Sequence, residues 1–153
     1  MIHLSRASVS DAEQLWKMQI ESFSALLEKY QDFETSPANE PLEKVEMRLQ
    51  QAFTFFYFIQ RDHETVGAIR VVDGKDGTRK RISPIFVLPA YRNLGIAAQA
   101  ICEAERLHGA ENWALDTILQ ESGLCRFYEN LGYRDTGKRT VINDKMTLIF
   151  YEK

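Results

Sequence analysis

The sequence predicts an α+β fold, in which a single mixed, mostly antiparallel central sheet of about seven strands is flanked by about four helices. The apolar patterns follow the order β-α-α-β-β-β-α-β-α-β-β along the chain. Hairpin signals at residues 73–77 and 143–144 connect successive strands and favour antiparallel pairing. The 153 residues, 44% of them hydrophobic, suit one domain over residues 1–153 with a sizeable core.

The first third of the chain predicts one strand, two helices and a loop. Residues 2–7 alternate weakly between apolar and polar side chains, which indicates a strand. Residues 10–11 can cap a helix that ends near Tyr30, because apolar side chains recur on one of its faces. Residues 31–41 contain two prolines and have no periodicity, which indicates a loop. Residues 42–51 form a short amphipathic helix.

Strands and helices alternate through the rest of the chain. Residues 53–60 are dense in aromatic side chains, which suits a strand buried on both faces. The strand over residues 78–88 contains Pro84, which cannot donate to a ladder, so we expect a bulge or an unpaired edge there. The remaining elements are strands at residues 66–72, 113–118, 133–142 and 145–151, and helices at residues 93–108 and 122–130.

The net charge, the apolar runs and the cysteine spacing argue against several classes of protein and kinds of site. The net charge of −3 argues against a nucleic-acid partner. The chain shows no signal-peptide pattern and no apolar run of membrane-spanning length, so we expect a cytoplasmic protein with no membrane partner. Cys102 and Cys125 have neither metal spacing nor a disulfide framework; we expect no metal site and two buried free thiols within helices. Residues 79–81 are interpreted as a solvated hairpin end.

An anion site is predicted where the strand ending at Pro89 turns into the helix that follows. Gly95, Ala97 and Ala98 are small, so they leave the backbone N–H groups at the start of this helix open to a ligand. These groups lack intrahelical acceptors and carry the positive end of the helix dipole, which suits a phosphate or pyrophosphate. Arg92 adds a permanent positive charge and a planar fork of donors.

Two motifs resemble the GCN5-related N-acetyltransferase superfamily. The first is Arg92-Asn93-Leu94-Gly95-Ile96-Ala97, preceded by a strand and followed by a helix. The second is Phe127-Tyr128-Glu129-Asn130-Leu131-Gly132-Tyr133. The resemblance spans about residues 2–151. It implies that the pyrophosphate of acetyl-CoA, the acyl donor, lies on the N–H groups of Asn93, Leu94, Gly95, Ile96, Ala97 and Ala98.

The resemblance also assigns roles along the strand before this turn. It implies that the pantetheine arm lies along Ile85, Phe86 and Val87 and bonds to main-chain groups that a gap in the sheet leaves unpaired. A backbone N–H near Val87 could then stabilise the developing oxyanion. Glu121 stands where the family often has an asparagine that contacts pantetheine. An ionised carboxylate cannot donate, so we expect that contact to be lost or remade.

The resemblance implies catalytic roles for two residues. Tyr128 is the candidate general acid for the departing thiolate; the alternative is a core tyrosine with a satisfied hydroxyl. Asp116 is the candidate base, and the alternative is a strand-edge carboxylate with a structural role. Phe127 and Tyr133 are interpreted as packing residues, and His63 as exposed in a turn. Four acids near the expected acceptor site could bind a cationic amine or form a solvated helix face: Glu21, Glu28, Asp32 and Glu34.

The leading hypothesis is an acetyl-CoA-dependent N-acetyltransferase that transfers the acetyl group directly to a primary amine in a ternary complex. The amine could belong to a small molecule or a peptide, and the acidic residues favour a cationic small molecule. The alternatives are a catalytically silent acyl-CoA-binding sensor and a nucleotide-binding fold. The latter lacks a Gly-x-x-x-x-Gly-Lys-Ser/Thr loop and a repeated βαβ pattern. An aromatic-rich sheet edge could pair in a homodimer.

Overall fold

The computed structural model describes residues 1–153 and contains the predicted seven strands and four helices. The strands are β1 (Ile2–Arg6), β2 (Thr54–Arg61), β3 (Glu64–Val72), β4 (Lys80–Val87), β5 (Trp113–Ile118), β6 (Arg134–Val141) and β7 (Thr147–Glu152). The helices are α1 (Ala12–Tyr30), α2 (Leu42–Gln50), α3 (Ile96–His108) and α4 (Ser122–Asn130). Short 3₁₀ turns occupy Val9–Asp11, Pro37–Asn39 and Pro89–Tyr91.

The strands form one sheet in the order β1-β2-β3-β4-β5-β7-β6. Every neighbouring pair is antiparallel except β4 and β5, which run parallel. That parallel pairing covers only Lys80 with Trp113 and Arg81 with Ala114. Beyond Arg81 the two strands separate, and the sheet opens into a seam. A single parallel pair is not the doubly wound sheet of a nucleotide-binding fold, so this fold alternative is wrong.

The core lies on both faces of the sheet, and β2 shows why. Its side chains alternate with the two-residue period of a strand. Phe56 and Phe58 pack in the cluster that contains the buried residues of α1 and α2. Tyr57 and Ile59 pack in the larger cluster with α3. The prediction that this aromatic strand is buried on both faces is therefore confirmed.

Pro84 lies in the expected bulge. Ile69 pairs with Ile85 and Val71 pairs with Ile82, so β4 carries one more residue than β3 between these two pairs. The side chain of Arg70 reaches the irregularity and donates from Nη1 to the carbonyl of Ser83 at 2.9 Å. Burial lowers the pKa of this guanidinium to about 10.

The aromatic-rich strand β2 lies inside the sheet. β2 lies between β1 and β3, and the two edges are β1 and β6. Every side chain of β6 is exposed, and the strand carries charged residues that discourage further pairing. None of the helices combines the length and the apolar character that a membrane crossing requires.

Three local expectations are also wrong. Helix α3 begins at Ile96, three residues later than predicted from Asn93, because Asn93 (φ 64°) and Gly95 (φ 76°) are left-handed and cannot continue a right-handed helix. Cys102 is exposed, because it lies off the apolar stripe of α3, and Cys125 is half-buried. Arg81 is not a solvated hairpin residue, since its guanidinium pairs with Asp116 across the seam.

Candidate active site

A cavity of about 800 Å³ lies at the seam where β4 and β5 separate. Its walls come from the second half of α1, the loop after it, β4, the start of α3, β5, α4 and β7. Most of its lining residues are apolar. Thirteen residues were predicted as catalytic or donor-binding from sequence, and all of them except Leu94 line this cavity. The side chain of Leu94 is 51% exposed and points away from it.

The edge of β4 that faces the seam carries main-chain groups without a strand partner. The N–H of Leu88 donates to the carbonyl of Val66 in β3. Because successive residues of a strand point to opposite edges, Phe86 also faces β3, whereas Ile85 and Val87 face the seam. Strand β5 does not pair with this stretch. The gap in the sheet that the sequence argument required is therefore present beside Ile85 and Val87.

The start of α3 presents free backbone N–H groups to the same cavity. The first amide to bond within the helix is that of Gln99, which donates to the carbonyl of Gly95. The amides of Ile96, Ala97 and Ala98 precede it and have no intrahelical acceptor. The left-handed conformation of Gly95 turns the preceding chain so that consecutive amides converge, a geometry that binds anions.

Arg92 is engaged mainly with protein carbonyls. Its Nε donates to the carbonyl of Val87 at 3.1 Å, and Nη2 donates to the carbonyl of Ser22 in α1 at 2.7 Å. Nη1 makes no hydrogen bond within the protein. The side chain therefore fixes the loop before α3 against β4 and α1, and its positive charge lies beside the free amides.

Tyr128 is the only one of three packed core tyrosines whose hydroxyl faces the cavity without a partner. Tyr133 donates to Glu105 at 3.0 Å and Tyr151 donates to Glu129 at 2.7 Å. Tyr128 is 8% exposed and its hydroxyl makes no hydrogen bond within the protein. Burial, and then the negative charge of Asp116, raise the pKa of Tyr128, so the phenol keeps its proton across the neutral range.

Asp116 lines the cavity and forms an ion pair across the mouth of the seam. Its Oδ2 accepts from Nη2 of Arg81 at 2.8 Å. Arg81 is the last paired residue of β4, and Asp116 lies two residues beyond the last paired residue of β5, so the ion pair joins the strands where the backbone ladder ends. Sequence reasoning missed this partner, because the parallel register that brings Arg81 beside Asp116 has no local signal.

Glu121 faces α1. Its carboxylate accepts from Nζ of Lys29 at 2.7 Å and from the hydroxyl of Tyr30. These two hydrogen bonds lower the pKa of Glu121. The side chain therefore ties the start of α4 to the end of α1, which explains a carboxylate at this position.

The four acids proposed near the acceptor site separate into two groups. Asp32 is 4% exposed and lines the cavity. Glu21, Glu28 and Glu34 are exposed and lie outside it. His63 is exposed, as predicted, and Tyr133 is a packing residue in the core. Phe127 packs against that core and also lines the cavity.

The fold and this site together define a class of protein: an open-seamed sheet with free amides at the start of a helix beside the opening. The family model of the acetyltransferase (GNAT) domain matches residues 12–153. The chain therefore belongs to the GNAT acetyltransferase family. No curated protein matches it significantly by sequence.

Solved structures show the same fold at low sequence identity. A GNAT-family acetyltransferase from Streptococcus pneumoniae is 15% identical and superposes with a TM-score of 0.73 over 99% of this chain and 97% of its own. An acetyltransferase from Thermus thermophilus is 18% identical, with a TM-score of 0.71 over 99% and 95%. The PaiA N-acetyltransferase from Thermoplasma acidophilum, solved in complex with coenzyme A, is 16% identical, with a TM-score of 0.69 over 100% and 99%.

Proposed function

We propose that this protein is an acetyl-CoA-dependent N-acetyltransferase that acetylates a primary amine by direct transfer in a ternary complex. One observation carries the proposal: a single cavity brings together the unpaired edge of β4, the free amides of α3 and the unpartnered hydroxyl of Tyr128. Family membership and the coenzyme A bound to the Thermoplasma acidophilum N-acetyltransferase support acetyl-CoA as the donor.

The main chain supplies the proposed donor site. The amides of Ile96, Ala97 and Ala98 would hold the diphosphate, with the charge of Arg92 beside them. The main-chain groups of Ile85 and the N–H of Val87 would bond to the pantetheine arm as an added strand would, while the carbonyl of Val87 already accepts from Arg92. Acetyl-CoA supplies an acyl group activated as a thioester. The N–H of Val87 is the proposed donor to the thioester carbonyl oxygen as negative charge develops there.

Two side chains would donate and accept the protons that move in the reaction. The lone pair of a neutral amine attacks the acyl carbon, a C–N bond forms, and the C–S bond breaks with its electron pair left on sulfur. The hydroxyl of Tyr128 gives its proton to that sulfur. The proton released by the amine passes to Asp116, which Arg81 orients, directly or through water. Neither cysteine lines the cavity, which supports direct transfer over a covalent thiol intermediate.

Calorimetry and a turnover assay test this function. We expect coenzyme A to bind with measurable heat, and we expect acetyl-CoA with an accepted amine to release coenzyme A, measured with a thiol reagent. The released thiol should equal the acetylated amine, measured by mass spectrometry. No heat with coenzyme A, from protein shown to be folded by circular dichroism, would overturn the proposal.

The Arg81–Asp116 ion pair favours one second candidate, a catalytically silent acyl-CoA-binding domain. Asp116 is occupied by its ion pair with Arg81, and Glu121 is occupied in the same way by Lys29. This candidate predicts thermal stabilisation by coenzyme A without turnover across a wide panel of amines. Turnover with any amine on the panel would exclude it.

A further inference from the structure

The acidic and basic residues that line the cavity differ in whether they have an oppositely charged partner. Four lining side chains carry a charge at neutral pH: Asp32, Arg92, Asp116 and Glu121. Asp116 is paired with Arg81 and Glu121 with Lys29. Arg92 donates to two carbonyls and lies beside the proposed diphosphate site. Asp32 is the one carboxylate in the cavity that has no cationic partner.

The burial of Asp32 makes this absence costly. The residue is 4% exposed, and the hydrogen bonds that its carboxylate accepts all come from Thr35: the N–H at 3.0 Å on Oδ1 and the hydroxyl on Oδ2. Lys29, the cation nearest in sequence, is already bonded to Glu121. A nearby positive charge stabilises a buried carboxylate beyond what its hydrogen bonds supply. The cavity can supply that charge through a ligand.

Asp32 lies beyond the C-terminal end of α1, the helix that Arg92 contacts. Arg92 contacts α1 at Ser22, and eight further residues carry the helix to Tyr30, about 12 Å along its axis at about 1.5 Å per residue. Asp32 follows the end of this helix. The cavity wall around that end is apolar, with Leu26, Met146 and Leu148 among its lining residues.

The α1 wall of the cavity offers a second polar group without a partner. The hydroxyl of Ser22 is buried and makes no hydrogen bond, although the residue lines the cavity. Its oxygen has less than 1 Å² of accessible surface, so the recognition of a ligand falls to the apolar wall and to Asp32. A mostly apolar cavity that also holds a carboxylate suits a chain of methylene groups that ends in a cation.

We propose that Asp32 is a specificity-determining residue and that the acceptor is a primary amine carrying a second, cationic nitrogen at the other end of an apolar chain. The inference rests on the proposed function and names its substrate class. Asp32 binds the distal cation, and the proximal amine lies at the seam near Tyr128. Asp32 touches the part of the acceptor that does not react, so its loss raises KM and leaves kcat nearly unchanged.

Matched amines test this without any variant. Linear diaminoalkanes with three to six methylene groups are compared with alkylamines of the same chain length, using acetyl-CoA and the wild-type protein. We expect kcat/KM for the best diamine to exceed that of its matched monoamine by at least about tenfold, since a buried charge pair is lost in the monoamine. Equal use of both series would overturn the proposal.

Two variants test whether the preference for diamines depends on Asp32. Asp32→Asn keeps the shape of the side chain and removes its charge, and should abolish the preference for diamines through a higher KM. Glu34→Gln removes the same charge from an exposed neighbour outside the cavity and should leave the preference intact. Coenzyme A affinity measured by calorimetry verifies that both variants are folded. An unchanged preference in folded Asp32→Asn would overturn the assignment.

A binding measurement separates this inference from the proposed function. Calorimetry of the diamine with the coenzyme A-loaded protein needs no turnover, and we expect Asp32→Asn to weaken this binding by at least about tenfold. If no amine is acetylated but the diamine binds in an Asp32-dependent way, the transferase function fails and the cation site stands. If amines are acetylated and the diamine gains nothing from Asp32, the cation site fails alone.

Discussion

Three tyrosines in the core differ in the hydrogen bonding of their hydroxyl groups. Tyr128, Tyr133 and Tyr151 pack against one another, with ring centroids 6.1 and 6.3 Å from that of Tyr128. All three pKa values are raised, first of all by burial. Only Tyr128 has an unpartnered hydroxyl directed to the cavity. The second motif of the sequence therefore contains a packing tyrosine and a candidate catalytic tyrosine five residues apart.

Replacing Tyr128 by Phe should lower kcat by roughly 100-fold, the low end of what a general acid contributes. The coenzyme A dissociation constant should stay within about twofold, because the ring and its packing are kept. Steady-state kinetics and calorimetry measure the two quantities. Tyr133→Phe is the matched control: it loses a hydrogen bond to Glu105, should cost about 1 kcal/mol of stability, and should keep its turnover. Full activity in Tyr128→Phe would remove the proposed acid.

At the scale of elements, β4 serves two partners. One edge pairs with β3 as far as Val87, and the other faces the seam. Gly67 of β3 lies against this strand so closely that a Cβ atom would stand 2.2 Å from the carbonyl oxygen of Phe86. That contact is with backbone, so a side chain at position 67 must displace the strand itself.

Gly67→Ala should therefore destabilise the protein by about 1–3 kcal/mol, the usual cost of overpacking. It should also weaken coenzyme A binding, since Ile85 and Val87 move with the strand. Urea unfolding and calorimetry measure these effects. Gly123→Ala in α4 is the control, because a Cβ there meets nothing within 4 Å, and it should be neutral or slightly stabilising. Equal behaviour of the two variants would contradict the dual role of β4.

Local signals in the sequence predicted the elements well, and pairing between distant residues was harder to predict. Pro84 predicted its own bulge, because a missing N–H is a property of one residue. Gly95 was recognised as part of the turn, but the left-handed conformation of Asn93, which delays the start of α3, was not. Arg81 beside Asp116 and Lys29 beside Glu121 depend on contacts 35 and 92 positions apart in the chain. Such partners are fixed by topology, which single-residue preferences do not encode.

At the scale of the whole molecule, a buried polar chain joins the end of α3 to the sheet. His108 is 3% exposed in its side chain and lies 2.8 Å from Asp73 through Nδ1 and 2.8 Å from the hydroxyl of Tyr57 through Nε2. The carboxylate of Asp73 accepts from Nδ1, and Nε2 is bonded to the hydroxyl of Tyr57. Helix α3 is thereby fixed at the end opposite its free amides.

The hydrogen-bond chain of Asp73, His108 and Tyr57 is expected to stabilise the fold in a way that depends on pH. Burial opposes ionisation of Asp73, but the hydrogen bonds from His108 and from the N–H of Lys75 outweigh it and lower the pKa below its ordinary 3.8. A lowered carboxyl pKa adds stability that is complete above the ordinary pKa and is lost as the pH falls through the lowered one.

Asp73→Asn should therefore be less stable than the wild type by about 1–2 kcal/mol at about pH 7. The difference should shrink as the pH falls below about 4. Urea unfolding across this range measures it, and a gap that widens on acidification would contradict the assignment. Asp62→Asn, which changes an exposed carboxylate in the turn between β2 and β3, is the control for a general charge effect.

Arg92 would couple the two proposed substrate sites. Its guanidinium donates to the carbonyl of Val87, just before the loop that would hold the diphosphate, and to the carbonyl of Ser22 in α1. The far end of α1 leads to Asp32. If the acyl donor orders that loop, it would also restrict the motion of α1, which forms a wall of the proposed acceptor site. The donor would then raise the affinity for the acceptor. By thermodynamic reciprocity, the acceptor would raise the affinity for the donor by the same factor. Such heterotropic cooperativity would give each substrate a lower Kd once the other is bound.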